Sequence, residues 1–173
     1  MPRRNAFATV FIALAACALT ACGLAGRPDW RPYHYDEQEF AVSFPAEPAV
    51  SHPVWGGRQG FTAELVQDDH DFSVVVIDAS GYEGRTDYVL QGGAVKLAQA
   101  VGGQVRHVGY DSSQGGVPGL RVVVARPGQA DVTARLFYFH SKLYEVGDMR
   151  PGMADDQDAE RFLTSFRLVG PDM

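Results

Sequence analysis

The 173-residue chain carries 15 Lys and Arg against 21 Asp and Glu, a formal net charge of −6, with 46% hydrophobic residues. That acidity excludes the phosphate-driven attraction on which nucleic-acid binding rests, and it gives the chain no pull toward anionic lipid. The length suits one domain with an adequate core, and two cysteines leave little room for a disulfide framework or a thiolate metal site.

Residues 1–5 carry two positive charges, Arg3 and Arg4, and residues 6–19 are apolar apart from Thr9. This is the basic n-region and apolar h-region of an export signal. The run closes on Leu19-Thr20-Ala21-Cys22, an aliphatic residue, two small ones and a cysteine. These four residues resemble the lipobox of bacterial lipoproteins. The resemblance implies cleavage between Ala21 and Cys22, a diacylglyceryl group on the Cys22 thiol and acylation of the new amine. An uncleaved anchor is the alternative, because the run approaches the roughly 20 apolar residues that a span needs; an anchor, however, has no need of a cysteine at that place. Arg3-Arg4 also admit a twin-arginine reading, which the flanking residues fit poorly. Gly23, rather than Asp, follows the cysteine, and in a Gram-negative source that points to the periplasmic face of the outer membrane.

Removal of residues 1–21 leaves residues 22–173 with 13 basic and 21 acidic side chains, a formal charge of −8. Cys17 departs with the signal and Cys22 carries lipid, so the mature domain has no free thiol. Acyl chains contribute roughly 0.8 kcal/mol per buried methylene, enough to hold the protein on a membrane without a span. Residues 22–31 form a lipidated tether. At about 3.5 Å per residue it reaches roughly 30 Å, which keeps the domain, residues 32–173, close to its membrane.

The body then reads in chain order. Residues 33–35 and 40–44 are short strands about a polar turn, and Pro45 and Pro48 stop the second. Residues 50–55 and 61–67 form a hairpin about Gly56-Gly57, Asp68-Asp69-His70-Asp71 is a turn, and residues 72–78 are a strand. The period then becomes helical: Leu90, Ala94, Leu97, Ala98 and Val101 share a face, with Thr86 or Asp87 as N-cap and Gly102-Gly103 as the stop. Gly92 and Gly93 weaken that helix by about 1 kcal/mol each against Ala, and a close approach to a sheet would account for one of them. Residues 104–110, 120–125, 132–140 and 143–148 are four more strands. Asp155 or Asp156 caps a last helix that sets Ala159, Phe162, Leu163 and Phe166 on one face. The runs Val74-Val75-Val76-Ile77, Val122-Val123-Val124 and Leu136-Phe137-Tyr138-Phe139 are apolar at both parities, as strands covered on both faces are. The pattern gives an α+β domain, a largely antiparallel sheet sandwiched between helices.

The segments 40–48, 120–124, 134–138 and 143–146, and the closing Ala159-Glu160-Arg161-Phe162-Leu163-Thr164-Ser165-Phe166-Arg167-Leu168, together resemble bacterial lipoproteins with a PsbP-like α/β/α sandwich. The likeness covers about residues 33–169 and rests on core and turn residues. It implies a binding, scaffold or assembly role rather than catalysis. No ligand-binding residue set of that group maps onto this chain.

No residue set reads as an active site. Asp68-Asp69-His70-Asp71 is too tight to converge on one ion and lacks the turn glycine of a calcium loop. Asp155-Asp156-Gln157-Asp158 suits a helix N-terminus. His34, His52, His70, His107 and His140 fall in no zinc spacing. Ser112-Ser113-Gln114-Gly115 is not a nucleophile elbow, and the glycine pairs have no Walker spacing. The expectation is therefore no metal, no cofactor and no catalytic set. One pattern suggests an interface: Trp55-Gly56-Gly57-Arg58 at a hairpin tip, where Trp55 and Arg58 are of the types enriched in hot spots; the plainer alternative folds Trp55 back over the sheet edge. The expected function is non-catalytic binding or assembly of a membrane-proximal envelope protein. The alternatives are an envelope hydrolase whose triad the fold assembles, signalled by a cleft holding His beside Ser or Asp, and a carrier for an apolar ligand or hydrophobic segment, signalled by an apolar groove.

Overall fold

The computed structural model describes residues 29–67, 70–149 and 157–170. The export signal, Ala21, Cys22, most of the tether and the two candidate capping residues Asp155 and Asp156 lie outside the described residues. Eleven strands and two α-helices are described, in two sheets whose strand pairs are all antiparallel.

The small sheet pairs β1 (Arg31–Tyr35) with β2 (Phe40–Phe44), and β2 in turn with β11 (Arg167–Leu168). The polar residues Asp36–Gln38 make the turn between β1 and β2, which Glu39 closes in the left-handed region at φ 60°. In β2 the alternation is complete: Phe40, Val42 and Phe44 are buried while Ala41 and Ser43 are half-buried.

The large sheet comprises β3 (Ala49–Ser51), β4 (Val54–Trp55), β5 (Arg58–Gln67), β6 (His70–Asp78), β7 (Gln104–Asp111), β8 (Gly119–Ala125), β9 (Val132–Phe139) and β10 (Lys142–Asp148). Its order is β3-β5-β6-β10-β9-β8-β7, and β4 also pairs with β5. Helix α1 (Thr86–Ala100) joins β6 to β7, and α2 (Gln157–Ser165) precedes β11. The two-residue turn Gly56-Gly57 needs φ of +58° and +80°, which glycine adopts without strain, and it sets Trp55 opposite Arg58.

Successive residues of the central strands serve two separate cores. Phe137, Tyr144 and Val146 pack with β2 and with Phe162, Leu163 and Phe166. Leu136, Leu143 and Ala134 pack with Leu90, Ala94 and Leu97 of α1. Adjacent residues of a strand point to opposite faces, so α1 lies over one face while α2 and the small sheet lie over the other. This is why β6 and β9 are apolar at both parities. On β8 only Leu120, Val122 and Val124 enter a core, while Arg121 is exposed and Val123 half-buried, so the expected cover on both faces of Val122-Val123-Val124 is not met.

Four local expectations give way. Phe166 is not in the last helix, which ends at Ser165; it is fully buried just beyond, where the chain turns into β11. The Ser165 hydroxyl donates to the Phe162 carbonyl and accepts the backbone N–H of Ser43, which ties the helix end to β2. Helix α1 starts at Thr86, so the cap position falls on Arg85, with no side-chain capping bond. The strand at residues 50–55 is broken into β3 and β4 about His52-Pro53, because proline offers no N–H to the ladder. Of the expected turn Asp68-Asp69-His70-Asp71, His70 and Asp71 belong to β6, and Asp68 and Asp69 lie outside the described residues.

Candidate functional site

A groove of about 610 Å³ lies between α1 and the β5–β6–β10 side of the large sheet. Its size is that of a small-molecule site, commonly 300–1,000 Å³. Val75, Ile77, Val89, Leu97 and Leu143 supply apolar walls. Gly92 and Gly93 explain how the groove arises. A Cβ on Gly93 would lie 2.9 Å from methyls of both Leu136 and Leu143 and would push both leucines aside, so glycine lets the helix descend there onto β9 and β10 with their packing intact. A Cβ on Gly92 would meet nothing within 4 Å; the helix side wall is bare at that point.

Glu145 of β10 lines this groove. Its strand partners are Val75 and Leu136, and it is only 8% exposed. Its Oε1 lies 3.5 Å from the position of a Cβ on Gly93. Among the described residues no hydrogen bond or ion pair holds its carboxyl. Burial pushes that carboxyl up to about 7, with the charge of Lys96 acting in the opposite direction. The sign for stability follows. The unfolded chain ionises this acid at its ordinary value near 4.5 while the fold keeps the proton, so the group's contribution is full below that value and is lost as pH rises through about 7. At roughly 1.4 kcal/mol per pH unit of displacement, Glu145→Gln should gain about 3 kcal/mol on wild type between pH 4 and pH 8. Urea unfolding at the two pH values checks this, and an equal effect at both would mean that the acid is hydrated in the fold.

The lip of the groove carries both residues of the predicted contact tip. Trp55 is 40% exposed. Its indole lies on Gly60 so closely that a Cβ there would sit 2.1 Å from the ring. The tryptophan is therefore both folded back over β5 and placed on the groove. Arg58 donates from Nη1 to the carbonyls of Asp78 at 3.3 Å and Ser80 at 2.7 Å, and its guanidinium stands 5.6 Å from the centre of the Tyr82 ring. Tyr82 stacks on Tyr88 at 5.8 Å, so Arg58 and two tyrosines form one wall.

The histidines lie elsewhere, and none of them lines the groove. His70 Nδ1 is 2.6 Å from Asp148 Oδ2, while Asp148 Oδ1 accepts the N–H of Asp71 at 2.9 Å. The pair joins the start of β6 to the end of β10, and His70 stacks on Phe72 at 4.8 Å. His140 Nδ1 lies 2.8 Å and Lys142 Nζ 3.0 Å from the Glu39 carboxylate. Burial alone would raise Glu39; the hydrogen bonds from His140 and Lys142 outweigh it and hold the carboxyl below its ordinary range. Both clusters fasten strands and turns. Ser113 and Gln114, weighed as a possible nucleophile region, serve the fold: Ser113 Oγ accepts from Arg135, and the buried Gln114 amide donates to the Phe166 carbonyl at 3.0 Å and accepts from Leu168 N at 3.0 Å. Among the described residues no three His, Cys, Asp or Glu side chains gather as a metal site, and no helix is long and apolar enough to cross a membrane.

Sequence reasoning placed Trp55 and Arg58 together but missed Glu145, Lys96, Tyr82 and Tyr88. The available signal was a parity one: Glu145 shares a strand face with Leu143, which makes it a charge on an apolar face, in a chain whose helix carries adjacent glycines.

The architecture has a solved counterpart. The solution structure of cyanobacterial PsbP (CyanoP) from Synechocystis sp. PCC 6803 is similar to this chain, with a TM-score of 0.53 and 15% sequence identity over 87% of this chain and 98% of that one. The fold is PsbP-like. No family model and no curated protein matches the sequence. At that identity the likeness carries architecture alone, and the PsbP-like frame assigns no role to the groove residues.

Proposed function

We propose that the protein is a lipid-anchored envelope protein that works without catalysis, by binding a partner close to its membrane through the groove between α1 and the large sheet. The lipobox-like Leu19-Thr20-Ala21-Cys22 supports the anchor, the short tether supports membrane proximity, and the PsbP-like fold supports a binding or assembly role. The observation that carries the reading is the groove itself. It is mostly apolar, it has a formed wall of Arg58, Tyr82 and Tyr88, and it sets Trp55 on its lip. Of the features weighed from sequence, an apolar groove belongs to the carrier reading, and a cleft holding histidine to the hydrolase. This groove holds no histidine, so a binding role is preferred.

Two variants test the parts separately. Cys22→Ser should abolish acylation and signal processing, read by mass spectrometry of the N-terminus. A native protein that keeps residues 1–21 and carries no acyl mass contradicts the anchor. Trp55→Ala should weaken partner capture from membranes while leaving the unfolding midpoint nearly unchanged, because β4 is a two-residue strand outside both core clusters. A parallel fall in capture and midpoint would assign Trp55 to packing on Gly60.

A further inference from the structure

The groove has a polar demand at its floor that the protein does not meet. Glu145 is 8% exposed, lines the groove and has no hydrogen-bond or ion-pair partner among the described residues. Isolated buried carboxyls are costly, and they persist where something else supplies the donor. Three charged groups line the groove with it: Lys96 from α1, Asp78 from β6 and Arg58 from β5; Tyr82 and Tyr88 are the other titratable groups. Arg58 is already committed to the Asp78 and Ser80 carbonyls. Lys96 is exposed, and its ammonium makes no ion pair among the described residues. The floor therefore carries an acid, the walls are apolar, and the rim carries the Arg58–Asp78 pair, 3.8 Å apart, and the exposed Lys96.

We propose, building on the groove as the binding site, that its ligand is an apolar molecule bearing an amine, whose ammonium docks on the Glu145 carboxylate while its hydrocarbon part lies between α1 and β6 toward Trp55. The head group follows from charge complementarity. A fatty acid would bring a second carboxylate against Glu145, and two like charges in a site of low polarity repel strongly. An alcohol would meet the acid with one neutral hydrogen bond, whereas an ammonium makes a charge-assisted one, roughly twice as strong. Gly93 fits this occupant as well, since the helix brings no side chain over the acid there, where a Cβ would lie 3.5 Å from Glu145 Oε1. The dock also titrates: burial holds Glu145 up near 7, so the carboxylate is present above that pH and the amine must give up part of its affinity below it.

The test uses the full chain in a peptidisc free of bilayer, titrated at pH 8 with octylamine, octanol and octanoate. Binding to a Gly92→Phe variant, whose side chain occupies the open space at that position, is subtracted as non-groove adsorption. Octylamine should bind at least tenfold more tightly than octanol or octanoate. Its advantage should fall tenfold or more between pH 8 and pH 5.5. In Glu145→Gln the amine should bind no better than the alcohol, while octanol binding persists and shows that the groove is intact. Lys96→Ala removes the competing cation and should leave octylamine binding equal or tighter. Equal binding of the three probes, or tightest binding of octanoate, overturns the amine assignment and leaves the groove as a binding site. Binding of none overturns both.

Discussion

Replacing Arg135 with alanine should cost about 3–5 kcal/mol of folding stability, the usual penalty for breaking a buried ion pair by removing one partner. Arg135 is 5% exposed on β9 and reaches three parts of the molecule. Its Nε donates to Asp111 Oδ2 at 2.6 Å and its Nη2 to Asp111 Oδ1 at 3.2 Å, a bidentate pair with the last residue of β7. It also donates to Ser113 Oγ and to the Leu163 carbonyl of α2, and its guanidinium stands 5.0 Å from the centre of the Phe137 ring. Alanine would leave Asp111, whose side chain is 10% exposed, without its cation and held by Ser113, whose N–H donates to Oδ1 at 3.0 Å. Arg135→Lys should lose less, because a charge remains although the planar fork does not. A double-mutant cycle with Asp111→Ala should show a coupling of more than about 1 kcal/mol. The same pair makes the fold acid-sensitive. Burial would raise Asp111, but hydrogen bonds from Ser113 and Arg135 dominate and hold its carboxyl below the ordinary range. Its contribution is present above the unfolded value and is lost as pH falls through the lowered one. Losses under 1 kcal/mol for Arg135→Ala would mean that the clamp is not formed in solution.

Phe162→Ala and Phe166→Ala should each cost about 3–5 kcal/mol, the range for emptying a fully buried aromatic site. Both residues are 0% exposed. Phe162 packs between Phe44 and Phe72, each with ring centres at 5.1 Å, so it joins α2 to both sheets. Phe166 stacks on Phe40 and Phe137 at 5.6 Å each. The two substitutions should differ in kind. Phe162→Ala removes a helix contact, whereas Phe166→Ala also loosens β11, a short strand held by two ladder positions, the Gln114 clasp, the buried Leu168 and the Val169 N–H to Glu39 carbonyl bond. Urea unfolding measures the losses, and hydrogen exchange at Leu168 separates the two.

Legibility of the sequence followed the range of the interactions. The central strands were readable because burial on both faces leaves a mark in each residue, as in Val74-Val75-Val76-Ile77. Helix α1 was readable because its apolar face repeats with the helical period. The two glycines within it were visible as anomalies, but only the packed structure separates them, Gly93 as the close approach and Gly92 as the open wall. Strand β11 left no mark, since two residues have no period and it forms only against β2 with Gln114 beside it. The Arg135 clamp was equally hidden, because Asp111, Ser113 and Leu163 are distant in sequence. For the site, the hairpin tip announced Trp55 and Arg58 through turn chemistry, but what they face depends on where α1 sits on the large sheet and the groove it leaves beside β5 and β6. Glu145 was the hardest to find. A glutamate in a strand is ordinary where one face is wet, and only the position of α1 makes this one nearly fully buried.

The central claim, that the protein acts by binding through the α1–sheet groove at its membrane, is tested most directly by photo-crosslinking in intact cells. A photoreactive amino acid is placed at Tyr88, 64% exposed on the groove wall, or at Tyr110, 91% exposed on the edge strand β7. Intact-mass measurement of the full-length lipoprotein then reports what each position touches. The account predicts a defined adduct from position 88, reduced when residues 1–22 are replaced by a cleavable export signal without the lipobox cysteine so that the anchor is lost, and no such adduct from position 110. An adduct from position 110 with none from position 88 would place the binding surface on the sheet edge and contradict it.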